Sequence, residues 1–235
     1  MDDKEKKGVS SKYILPDLAI LDPLLTIDLP ANITASTGID AMVHAIEAFT
    51  SVNPNNNPIS KMLSIEALKL LGSSIEVAVF DGKNINARSN MLLGSMYAGK
   101  AFANSPVAAV HALAYPIGGL FNISHGLSNS LVLPHVLKFN SLKEDARKNY
   151  AYLAPNIFKN LENSKNDEKV CNHFIDLLEN LSKKLKLPYR LRELGIPEEA
   201  CNIMAKEAMK QTRLLVNNPR KIEESDAFNI YKAAW

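Results

Sequence analysis

From Pro30 to the C-terminus, apolar residues recur at three- and four-residue steps, the spacing of helices that bury one face. Only one short run, Leu18–Leu21 between Pro16 and Pro23, has the length and bounds of a strand. A strand completes its backbone hydrogen bonds against another strand, and no second convincing one follows. The chain is therefore expected to be all-α, with Leu18–Leu21 either a short strand lacking its partners or an extended connector. Helices are expected at Ala35–Phe49, Ser60–Val79 and Asn84–Asn104, the last rich in small residues (Gly94, Ala98, Gly99) that admit a close neighbour. Pro106 can open a helix carrying His111, and Pro116, Gly118 and Gly119 are expected to interrupt it. Further helices are expected at His125–Asn140, Leu142–Leu161, Lys169–Leu185, Glu198–Leu215 and Glu223–Ala234, with a turn at Asn218-Pro219.

A chain of 235 residues is long enough for one large domain or two small ones, and folding at this size buries roughly 70% of the unfolded surface. The formal charge is only +2, and no basic run is interleaved with aromatics, so neither nucleic acid nor an acidic membrane is an expected partner. No apolar run approaches the ~20 residues that cross a bilayer. The charged start MDDKEKKGVSSK lacks the apolar stretch of a signal peptide. Cys171 and Cys201 form no CxxC motif and are expected to be reduced thiols in a cytoplasmic protein.

The stretch ASTGIDAMVHAIEAF carries the first chemistry. Asp40 and His44 lie one helical turn apart on one side of the helix. The pair admits two explanations. Thr37 and Asp40 fit a capping box at a helix start; alternatively, Asp40 and His44 are half of a metal site. Two of the remaining histidines, His111 and His125, fall in HALAYPIGGLFNISHG, on either side of the expected break. They can come from two elements and converge, or each can be a buried imidazole bonded to a carbonyl. Imidazole nitrogen and carboxylate oxygen together suit zinc and iron(II), and a catalytic site keeps one position open. The central expectation is that Asp40, His44, His111 and His125 hold one divalent cation. His135 and His173 have no partner at ligand spacing and are expected to be structural.

The segments LPDLAILDPLLTIDLP, ASTGIDAMVHAIEAFTS, GKAFANSPVAAVHALAYPIGG, SHGLSNSLVLPHVLKFN, LGIPEE and NPRKIEESD occur in this order along nearly the whole chain. In them the chain resembles the C-terminal part of the iron-containing, metal-dependent group III alcohol dehydrogenases. The resemblance implies an all-helical metal-binding domain of the dehydroquinate-synthase-like superfamily over residues 31–235. It also implies that residues 1–30 are the linker and last strand of an N-terminal α/β domain that binds NAD(P). The family's Asp and three His match Asp40, His44, His111 and His125, with Fe(II) or zinc as the cation and a small alcohol or aldehyde as substrate. Lys7 resembles, weakly, a lysine that some relatives place near the nicotinamide cofactor.

Two departures from the family pattern matter. Many members carry a further histidine near the nicotinamide where this chain has Tyr115, a residue that hydrogen-bonds or relays a proton but is a poorer base near neutrality. The glycine-rich pyrophosphate segment would precede residue 1, so the chain is expected to turn over little alone. It would pair with a separately encoded nucleotide-binding domain, or be a non-catalytic helical remnant of a split dehydrogenase. An apolar patch near residues 13–34 and the His111 face is expected where that domain docks, and a homo-oligomer is expected as well. A dehydroquinate synthase or glycerol-dehydrogenase-like enzyme, with three protein ligands, is the rival within the superfamily.

Overall fold

Helix α1 (Ala31–Thr50) starts directly after Pro30, and most of its surface is buried. It packs against α2 (Pro58–Phe80), α3 (Ile85–Asn104), α5 (His125–Asn140) and α6 (Glu144–Ile157), which makes it the central element. Around it, α4 (Ala109–Phe121) packs on α5, α7 (Asp167–Lys184) on α6, and α10 (Glu224–Ala234) on both α8 (Ala200–Met209) and α5; α9 (Thr212–Leu215) is a single turn against α4. The computed structural model describes residues 11–158, 161 and 166–235; Lys7 lies outside them. Among the described residues the fold is all-α, with no strand.

Leu18–Leu21 does not form a strand. It runs without regular structure between two short 3₁₀ turns, and Leu18 and Ile20 are 75% and 80% exposed. The physical reason is the one that made it an orphan in the sequence: a strand's N–H and C=O groups need a neighbouring edge, and none is present among the described residues. Tyr13, Ile14, Leu15 and Leu25 are exposed beside it, so the apolar surface expected near residues 13–34 is there. The following segment is tied down by the buried Arg88, whose guanidinium donates to Gly82 O (2.8 Å), Thr34 Oγ1 (2.7 Å) and Leu29 O (3.4 Å).

Local rules place most helix ends. Asn57 accepts from the N–H groups of Ile59 and Ser60 with Pro58 in the first position, and Asn84 accepts from Ala87 N–H. Glu223 and Asp226 form a reciprocal capping box at α10. Three boundaries depart from the sequence expectation. Because α1 begins at Ala31, Thr37 lies inside the helix and its hydroxyl donates back to Ile33 O at 2.8 Å; there is no capping box at Asp40. Helix α4 runs straight through Pro116, Gly118 and Gly119 and ends at Phe121, where Asn122 takes the left-handed conformation (φ 55°). A proline inside a helix removes one N–H donor and crowds the carbonyl four residues back, at a cost of about 3 kcal/mol; burial of nearly all of α4 up to Gly118 outweighs that. The run Glu198–Leu215 is two helices, α8 and α9, broken at Lys210-Gln211.

The turn at Asn217-Asn218-Pro219 is buried rather than exposed. Asn218 and Asn140 exchange side-chain amide hydrogen bonds (3.0 and 2.7 Å), while Asn217 Nδ2 reaches Val107 O (3.1 Å) and its Oδ1 accepts from Asn53 (2.9 Å). It joins the ends of α1 and α5 to the loop before α4. Cys171 and Cys201 are buried free thiols.

Close helix approach is set at particular glycines. A Cβ on Gly126 would overlap the Ser36 carbonyl of α1, and one on Gly94 would lie 2.8 Å from Leu71 Cγ. Gly99 has open space around it, so close packing does not explain that glycine. Gly126→Ala is expected to lower stability by roughly 1–3 kcal/mol through overpacking, whereas Gly99→Ala is expected to raise it by about 0.5–1 kcal/mol through helix propensity. Urea unfolding of the two variants, read against the parent, checks the opposite signs.

His135, on α5, is held neutral: burial, aided by the nearby Arg190 charge, lowers its pKa from 6.5 to about 4. Above pH 6.5 the ring is neutral in both folded and unfolded states and contributes no pH dependence. As pH falls from 6.5 toward 4 the unfolded chain binds the proton first, so stability drops over that window. His135→Gln is expected to remove this part of the slope and leave the profile above pH 6.5 parallel to the parent, as measured by urea midpoints from pH 7.5 to 4.5.

Candidate metal centre

The three polar residues Asp40, His44 and Glu47 sit at steps of four and three along α1, which places them on one face of the buried helix. His111 lies in the first turn of α4, and His125 is the first residue of α5. The close approach at Gly126 brings the start of α5 onto α1 and with it His125 beside Asp40. One donor atom each from Asp40, His44, His111 and His125 lies within 4.8 Å of every other. His111 Nε2 is 3.0 Å from His44 Nε2 and 3.7 Å from Asp40 Oδ1, and His125 Nε2 is 3.6 Å from the same carboxylate oxygen. Donors bonded to one ion at about 2.0–2.2 Å stand roughly 3–3.5 Å apart, so these spacings suit a shared cation. The capping explanation of Asp40 does not describe this arrangement, since α1 begins at Ala31.

Burial is graded across the cluster. The His111 side chain is 3% exposed, Asp40 17% and His125 36%, so the site opens to solvent on the His125 side. Burial, and next the neighbouring His111, lowers the pKa of His44 to about 4, which leaves a neutral ring with a lone pair at physiological pH. The His44 ring stacks on Phe102 (centroids 4.8 Å apart, 20° between planes), which fixes its orientation. Tyr115 borders the open side, its ring centroid 6.0 Å from that of His125. Burial raises its pKa, so the phenol keeps its proton at neutral pH.

Two residues of the site were not singled out from sequence. Glu47, 4% exposed, accepts from His111 Nδ1 at 2.7 Å and from the N–H groups of Ala108 (3.0 Å) and Val110 (2.6 Å). Asn129, one turn after His125, donates from Nδ2 to Asp40 Oδ1 at 2.5 Å and lies 3.3 Å from His125 Nε2. Both carry a sequence signal: Glu47 continues the Asp40–His44 face, and Asn129 shares the His125 face at the next turn.

Comparison with known proteins places this site in context. The C-terminal model of the Fe-containing alcohol dehydrogenase family matches residues 34–235. Long-chain-alcohol dehydrogenase 1 of Geobacillus thermodenitrificans is 40% identical over 98% of this chain and 57% of its own length; the 1,3-propanediol dehydrogenase of Citrobacter freundii is 34% identical over 99% and 58%. Among solved structures, a 1,3-propanediol oxidoreductase superposes with a TM-score of 0.85 (34% identity, 91% of this chain and 55% of that one). An archaeal halo-thermophilic alcohol dehydrogenase from a Red Sea brine pool superposes with a TM-score of 0.91 (27% identity, 100% and 58%). The chain thus spans between half and three fifths of the length of these relatives. By the extent of the family match and by fold, this chain belongs to the iron-containing alcohol dehydrogenases, within the C-terminal helical region of that family.

Proposed function

We propose that Asp40, His44, His111 and His125 hold one catalytic divalent cation, iron(II) or zinc, and that this domain supplies the metal half of an NAD(P)-dependent interconversion of small alcohols and aldehydes. The observation that carries the proposal is the convergence of one carboxylate and three imidazoles, drawn from three helices, on a single point. That donor set matches the preference of both metals for nitrogen with oxygen. His44 stands within the cluster at 3.0 Å from His111, which favours four protein ligands over the three of the dehydroquinate-synthase-like rival. When bound, the cation supplies Lewis-acid polarisation of the substrate oxygen.

The chain's own residues do the rest of the positioning. Asn129 holds the Asp40 carboxylate through its amide, and Phe102 holds the His44 ring. Tyr115, protonated at the mouth, acts as a hydrogen-bond donor beside the open side rather than as a base. Hydride transfer belongs to the nicotinamide, and no GxGxxG pattern occurs in these residues. We assign nicotinamide binding to an α/β domain, N-terminal in the same polypeptide or separately encoded, that docks on the exposed apolar segment around Tyr13–Leu25. Residues 1–30 act as the linker to it. The names of the relatives, a long-chain-alcohol and a 1,3-propanediol dehydrogenase, support an alcohol or aldehyde substrate. The free thiols of Cys171 and Cys201 support a reducing, cytoplasmic setting.

Alanine at any one of Asp40, His44, His111 or His125 is expected to weaken metal binding at least tenfold, read by elemental analysis after dialysis against a graded chelator; full retention by all four variants would overturn the assignment. The chain alone, loaded with iron(II) or zinc and given NAD(P)H with a short aldehyde, is expected to show no turnover above buffer. Rapid NAD(P)H consumption would place nicotinamide binding within these residues instead.

A further inference from the structure

We propose that Glu47 is a positioning residue for the metal centre: it fixes His111 as the tautomer with the proton on Nδ1, so that the Nε2 lone pair faces the site, and it clamps the start of α4 to α1. This rests on the metal-binding proposal above. A carboxylate is acceptor-only, and Glu47 accepts from three donors on one segment, Ala108 N–H, Val110 N–H and His111 Nδ1. A neutral imidazole that donates from Nδ1 has its lone pair on Nε2. That nitrogen is the one lying 3.0 Å from His44 Nε2 and 3.7 Å from Asp40 Oδ1.

The local sequence explains why a residue from another helix is needed. Helix α4 has no side-chain cap of its own, since the residue before it is Ala108. Its first N–H groups would be buried without partners, and a carboxylate placed there is favoured by the helix dipole. Glu47 meets both needs from α1, and the same loop is held further by Ser105 Oγ to Ala48 O (2.5 Å) and Asn217 Nδ2 to Val107 O (3.1 Å). The two carboxylates of the site, Asp40 and Glu47, also balance the charge of one divalent cation in a pocket where His111 is almost wholly buried.

A purely structural cap would matter to stability and not to the metal. Glutamine at this position separates the two roles. With its oxygen in place of Oε2 it keeps the bonds to Ala108 N–H and His111 Nδ1, but in either orientation of the amide His111 loses the negatively charged partner that raises the basicity of its Nε2. Titration of the full chain with Co(II) and Zn(II) against a chromophoric chelator is expected to show Glu47→Gln binding 10–100-fold more weakly than the parent, with a changed Co(II) visible spectrum. Equal affinity with an unchanged spectrum would overturn the positioning role while leaving the metal centre standing. A parent chain that takes up neither metal would overturn the metal-centre proposal and this one with it. In the parent itself, ¹⁵N–¹H long-range correlation of the histidine rings is expected to show His111 protonated at Nδ1. Finding the proton on Nε2 would overturn the proposal even if the glutamine variant did not fold.

Discussion

A helix that is buried along most of its surface carries three ionisable side chains on one face, and each of them must find partners inside the protein. That constraint on α1 organises the rest of the molecule. Burying a polar group without a hydrogen bond costs a few kcal/mol, and an unpaired charge costs more. Asp40 is met by Asn129 and the imidazoles of α4 and α5, and Glu47 by the whole start of α4. His44 is held between Phe102 and His111. Helices α4 and α5 meet α1 through these contacts as well as through apolar packing.

Small residues make the polar contacts reachable. Gly126 lets α5 touch the backbone of α1, and Gly38 on α1 admits Ile75 and Met91, whose atoms would otherwise lie within 3 Å of a Cβ. Had α5 been held farther from α1, the imidazole of His125 and the carboxylate of Asp40 would not share a point. The buried Asn217–Asn218 turn does comparable work from the opposite side, joining the end of α5 to the loop that presents Glu47's donors. The centre is thus supported by residues at three removes along the chain, all of them in regular helices or buried turns rather than mobile loops.

The graded exposure of the cluster gives it direction. His111 is sealed in, His125 faces outward, and Tyr115 lies beside it with its proton retained. The cluster is therefore open to solvent on one side and closed on the other. Ahead of α1, Tyr13, Ile14, Leu15, Leu18, Ile20 and Leu25 are exposed apolar side chains.

The all-α class, most helix positions and the four converging residues were legible in the sequence, because helical periodicity and ligand spacing are local properties of a chain. The same locality explains what was misread. Thr37 and Asp40 have the spacing of a cap, but the start of α1 is set at Pro30, and only there does it become clear that both lie inside the helix. Pro116 and its neighbouring glycines read as a break, yet burial of α4 on two sides carries the helix through them. Leu18–Leu21 has the composition of a strand, and whether it becomes one depends on an edge that other residues must provide. The sequence by itself determined which side chains are available and on which helix face each lies. The tertiary structure alone decided that Glu47 reaches the first turn of α4 and Asn129 reaches Asp40, since hydrogen bonds between residues 64 and 89 positions apart exist only after the helices have packed.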